Sequence, residues 1–142
     1  MRAARIALLC LIATLPLFAQ LDPATLTHQQ LAELPWKNTG QREQITIFGD
    51  PTKEGLYGVV LRWPPGTGTM PHTHPNDRFV AILKGTWWVG TGTNYDMSKT
   101  VPMKAGTFLT HTANRPHFDG AKDEEVILYV VGMGPGTTVY LK

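Results

Sequence analysis

The chain has 142 residues, with 13 Lys and Arg, 11 Asp and Glu and one cysteine, enough for one modest core. Two of the basic residues, Arg2 and Arg5, fall in a leading segment, and without them the charges balance at 11 each. No clustered basic face for nucleic acid is indicated. The absence of a GxSxG elbow, a phosphate loop or a cysteine-based site argues against acyl transfer and nucleotide chemistry.

The first element is "MRAARIALLCLIATLPLFAQ", where Arg2 and Arg5 precede an uncharged, mostly apolar run over residues 6–18 and then Ala19. That is the order of a secretory signal peptide, and the run is shorter than the ~20 apolar residues that span a bilayer. Residues 1–20 are therefore expected to be a signal peptide and 21–142 the remaining domain. The product is expected to be periplasmic or secreted, without membrane association once the signal is removed. Cys10 leaves with the signal, so metal ligands in the mature chain must be His, Asp or Glu.

"LDPATLTHQQLAELPW" reads as one short helix. Pro23 suits a first turn, Asp22 or Thr25 can cap it, Leu26, Leu31 and Leu34 can share a face, and Pro35 ends it. His28 is expected on its solvated side. After Trp36 the pattern changes to short β-rich runs: "QITIF", "LYGVVLRW", "FVAILK", "TWWVG", "TFLTHT", "EVILYVV" and "TTVYL". Between them lie "GDPTKEG", "PPGTGTMP", "KG", "GTGTNYD", "KAG" and "GMGPG", the glycine and proline punctuation of tight β connections. With no long amphipathic helix between them, these strands imply an all-β antiparallel sandwich or barrel whose core occupies about residues 44–141. Phe79, Val80, Ile82 and Phe108 are expected in its wall. Trp87 and Trp88, being consecutive, should face opposite sides, and Arg62 with Trp63 could make a rim contact.

The chemistry concentrates in "MPHTHPNDRFVAILKG" and "AGTFLTHTANRPHFDG". In an extended segment His72 and His74 point to one face, and His117 can approach them across a sheet. The spacing resembles the cupin superfamily, in particular its small single-domain bacterial members. The first cupin motif is matched by Gly66, His72-Thr73-His74 and Gly85, with Arg78 in the place of the usual Glu. The second is matched by Gly106 and His117, with Thr112-Ala113-Asn114 standing for Pro-x-Gly. The resemblance covers residues 66–117. It implies a jelly-roll barrel, a homodimer and a mononuclear metal held by three His and one Glu.

Carried over by position, His72, His74 and His117 match the metal ligands and the fourth does not. Three imidazoles suit Fe, Mn, Zn, Ni or Cu without choosing among them. An inward Arg78 would add charge and demand an anion: hydroxide, a substrate carboxylate or enolate, or a nearby Asp77 or Asp119. Asp119 is better placed, since it shares parity with His117. Alternatively Arg78 leaves the cavity through a bulge, or it excludes metal and binds an organic anion directly. His111 is a candidate fourth ligand or general base, and His111, Arg78 and Asp119 are the catalytic candidates. Three functions follow. The chain is a metal-dependent enzyme of dioxygenase or isomerase type acting on a small anion, a non-catalytic anion-binding module with a degenerate metal site, or an assembly unit with vestigial histidines.

Overall fold

A computed structural model describes residues 21–141. The expected signal peptide, residues 1–20, lies outside the described residues. In residues 21–33, Asp22 makes the cap expected of it: its Oδ1 accepts the Ala24 N–H at 2.9 Å and its carbonyl accepts the N–H groups of Thr25 and Leu26. The expected helix goes no further than this turn and a single 3-10 turn at Leu31–Glu33. Thr25, Thr27 and His28 are weak helix formers. The segment is exposed almost throughout, so no buried face repays helix nucleation. His28 is exposed, as expected.

From residue 34 onward the chain is built of antiparallel strands. They are β1 (Lys37–Asn38), β2 (Glu43–Phe48), β3 (Gly55–Trp63), β4 (Gly68–Thr73), β5 (Arg78–Lys84), β6 (Thr86–Thr91), β7 (Val101–Lys104), β8 (Phe108–His111), β9 (His117–Ala121), β10 (Val126–Gly134) and β11 (Val139–Tyr140). One sheet runs β1-β2-β3-β10-β5-β8 and the other β11-β4-β9-β6-β7. Such an all-β pair of sheets is a jelly roll.

The interior follows from alternation. Tyr57, Val59, Leu61 and Trp63 of β3 point inward, as do Val80 and Ile82 of β5 and Val126, Leu128 and Val130 of β10. With Trp87 and Ala121 they form the core. Trp87 is 1% exposed, whereas Trp88 lies at the surface under Lys122, whose Nζ is 3.7 Å from the ring centroid. The two tryptophans thus face opposite sides, as their adjacency required.

Alternation also corrects two wall assignments. Val80 and Ile82 are interior, but Phe79 and Phe108 are 57% and 82% exposed. Phe79 sits between the inward Arg78 and Val80, and Phe108 has the parity opposite to the half-buried Leu109 and His111. Nor do Arg62 and Trp63 form a rim pair. Trp63 is in the core, while Arg62 pairs outside with Glu43 and approaches Glu125.

Two turns carry the glycine logic of the motifs. Gly85 alone joins β5 to β6 at φ +75°, and a Cβ there would lie 2.4 Å from the Glu125 carbonyl oxygen. Asn114, at the glycine place of the second motif, adopts φ 57°. Asparagine is among the few residues that tolerate this left-handed conformation.

Candidate metal centre and cavity

The cavity opens between the two sheets. From one come His72 and Thr69 of β4, Asp119 of β9 and Trp87 of β6. From the other come Trp63 of β3, Arg78 of β5 and His111 of β8. His72 and His117 are direct cross-strand partners, as are Arg78 and His111. A register shift between Thr69 and His72 turns both residues inward despite their odd spacing. His74 lies just past the end of β4, and its carbonyl accepts the Asn114 N–H at 2.8 Å. That bond ties the loop of one motif to the loop of the other.

The imidazoles of His72, His74 and His117 are buried, with ring centroids 4.8 Å (His72–His74), 4.3 Å (His72–His117) and 5.1 Å (His74–His117) apart. One ligand nitrogen from each lies within 4.8 Å of the others. Their outer nitrogens share one pattern. Nδ1 of His72 lies 2.7 Å from the Met70 carbonyl, that of His74 3.0 Å from Thr137, and that of His117 3.1 Å from Arg115. A carbonyl only accepts, so each Nδ1 carries the hydrogen and each Nε2 keeps its lone pair. Nε2 of His117 is buried with no partner among the described residues. This donor set fits a divalent transition metal.

One contact opposes it. Arg78 points inward, and its Nη1 lies 3.2 Å from Nε2 of His74, donating to the lone pair that an ion would use. Its Nη2 donates to the carbonyl of Gly136. The arginine therefore stands inside the cavity, and the alternative in which a bulge carries it outward does not occur.

His111 also enters the site, its ring 3.9 Å from that of His117 and 6.1 Å from that of His74. Its Nε2 is buried, has no hydrogen-bond partner among the described residues and lies 3.8 Å from Asp119 Oδ2. Asp119 accepts a hydrogen bond from the Thr69 hydroxyl. His111, His117 and Asp119 thus form a second close triad that shares His117. Asp77 takes no part: its Oδ1 accepts the Ala113 N–H at 2.7 Å and clasps the loop.

Burial dominates the electrostatics. It pushes His74 down to about 3, with Arg78 adding to the effect, and His111 down to about 2, with the neighbouring imidazoles adding. His72 is lowered as well, burial outweighing the field of Asp119. These three rings are neutral at pH 7. The sequence pattern missed Arg42, which lies just before β2 and lines the same cavity with its Nε fully buried. Nothing in its local sequence marks it, because β2 pairing on β3 is what brings it in.

No family model matches the sequence, and no curated protein matches it. Solved structures do share the architecture. The polyketide cyclase RemF from Streptomyces resistomycificus is 12% identical with a TM-score of 0.67, over 82% of this chain and 86% of that one. KdgF from a Halomonas species is 14% identical at a TM-score of 0.59, over 73% and 91% of the two chains. A cupin-like protein from Thermotoga maritima is 19% identical at 0.59, over 72% and 77%. At such identities the likeness establishes fold and not chemistry. The protein has the cupin fold, a double-stranded β-helix with clustered histidines between its sheets.

Proposed function

We propose that this is an exported protein that holds a divalent transition metal, one of Fe, Mn, Zn, Ni or Cu, through His72, His74 and His117. In this reading it acts on a small anionic molecule by oxidoreductase or isomerase chemistry. The observation that carries the proposal is the shared orientation of the three rings, each Nδ1 turned to a backbone carbonyl and each Nε2 turned inward. A bound ion would supply Lewis acidity and a coordination place for a chelating substrate. Arg78 meets the negative charge of the substrate. His111 stays neutral with an uncommitted Nε2 and offers the substrate a hydrogen-bonding group. Trp63, Trp87, Leu61 and Leu128 exclude water around them.

A second reading rests on the contact between Arg78 and His74. In it the guanidinium displaces the ion, and the cavity is a non-catalytic anion-binding module.

Metal analysis of the protein recovered from the periplasm separates the two. About one equivalent in the wild type, lost in His72→Ala, supports the metal centre. An empty wild type that fills in Arg78→Glu makes the arginine an exclusion device and ends the enzyme reading. Recovery of the chain only from the cytoplasm refutes export.

A further inference from the structure

Arg42, Trp63 and Trp87 line the cavity, and Arg42 Nε, Trp63 Nε1 and Trp87 Nε1 are buried with no acceptor among the described residues. They are neighbours. The Arg42 guanidinium carbon stands 5.0 Å from the Trp63 ring centroid, and the Trp63 and Trp87 rings are 5.2 Å apart. A turn fixes the Arg42 backbone, since its carbonyl accepts both the N–H and the hydroxyl of Thr39, at 2.9 and 3.0 Å. Buried N–H groups are almost always paired, so three orphans close together, Arg42 and Trp63 from one sheet and Trp87 from the other, point to an acceptor-rich ligand.

Charge points the same way. The charged groups lining the cavity are Arg42 and Arg78 against Asp119 alone. Neither arginine has a carboxylate within ion-pair distance among the described residues, and Asp119 is engaged by Thr69. Arg78 is committed to His74 and Gly136, whereas Arg42 Nε is free. One unmatched positive charge suits one negative charge. Beside Trp63 on the same sheet, Leu61, Val80, Leu128 and Val130 give the cavity an apolar wall. The space open to the centres of water-sized molecules is about 50 Å³, so the ligand is small.

We propose that Arg42, Trp63 and Trp87 form a carboxylate subsite, within the same cavity as the histidines, that takes a small monocarboxylate with an apolar body. This names the anion of the preceding section and depends on that reading for its biological sense. It does not require the metal, although a bound ion would strengthen it through charge. The carboxylate oxygens accept from the guanidinium and the two indoles, and the apolar body lies on the leucine and valine wall.

The test uses full mature protein, as purified and after chelation, with benzoate as probe and benzamide and inorganic phosphate as comparators, read by calorimetry and tryptophan fluorescence. Benzoate should bind both preparations, with benzamide weaker by about tenfold or more. Arg42→Gln and Trp63→Phe should each weaken benzoate by about tenfold or more, and Trp63→Phe keeps an aromatic ring, though a smaller one, while removing the N–H. Arg42→Lys provides a second variant if Arg42→Gln fails to fold, and it should show an intermediate loss because the charge stays and the fork goes.

No benzoate binding to folded wild type, or equal binding of benzamide, overturns the proposal. So does benzoate binding that survives both Arg42→Gln and Trp63→Phe unchanged. Tighter binding of phosphate overturns the carboxylate assignment, and loss of benzoate on chelation moves the anion to the ion. Metal content measured on the same samples keeps this failure separate from failure of the metal reading.

Discussion

Lowering the pH from 7 to 5 should destabilise the metal-free barrel through its histidines. Burial holds His74 near 3 and His111 near 2 in the folded state, against 6.5 for the solvated imidazole of the unfolded chain. Between the folded and unfolded values the unfolded chain binds protons that the native one refuses. Stability therefore rises with pH up to about 6.5 and is lost as pH falls below it. At 1.36 kcal/mol per pH unit, each of the two rings costs about 2 kcal/mol at pH 5, so together about 4 kcal/mol. His72 shifts in the same direction and adds to the loss. Against a typical total of 5–15 kcal/mol this is a large fraction. Urea unfolding of chelated protein at pH 7 and 5 measures it. His111→Gln should recover about 2 kcal/mol of the pH-dependent part. A loss below about 1 kcal/mol in the wild type, or an unchanged loss in His111→Gln, refutes the view that these rings are buried neutral.

Two further substitutions test the packing around the site. Trp87→Ala should cost about 3–5 kcal/mol in chemical denaturation, because the ring is 1% exposed between the sheets. Trp88→Ala gives up a surface contact with Lys122 and should cost about 1 kcal/mol; comparable losses at both positions would contradict the assigned faces. Asn114→Val places a β-branched residue at φ 57° and should cost about 1–3 kcal/mol. Asn114→Gly should be near neutral by the same assay.

Spacing and alternation made much of this fold readable. The positive-φ glycines of the motifs, the paired tryptophans and the shared face of His72 and His74 follow from local rules, while the place of His117 followed from the resemblance of the motif spacing. Four strands escaped them, the two-residue β1 among them. In β4, the string "GTMPHT" looks like a turn because glycine, threonine and proline dominate it, and β7 carries a proline as well. All five residues of β9 are buried, so no alternating pattern marks it. The orientation of Arg78 was readable in principle, since Val80 and Ile82 share its parity and are apolar. Arg42 was not. Its place in the cavity depends on how β2 pairs with β3, a long-range fact without a local signature. The same is true of Asp77, whose carboxylate serves a loop 36 residues away in the chain.

The arginine at the head of β5 changes what the rest of the cavity must do. A carboxylate there would bring a negative charge to the three neutral imidazoles. A guanidinium brings a positive charge and spends one donor on His74. Asp119 cannot offset Arg78, Arg42 and a divalent ion together, so filling the histidine end without an anion would leave three positive charges uncompensated in a poorly solvated space. An anion seated at the Arg42 end lowers that cost and leaves the imidazoles neutral, with their Nε2 lone pairs facing inward. The two ligands are thereby coupled through charge, and linkage requires each to favour the other by the same factor. The departure from the usual motif at Arg78 and the unpartnered donors of Arg42, Trp63 and Trp87 are then one feature. The negative charge that β5 does not supply is left for the ligand to bring.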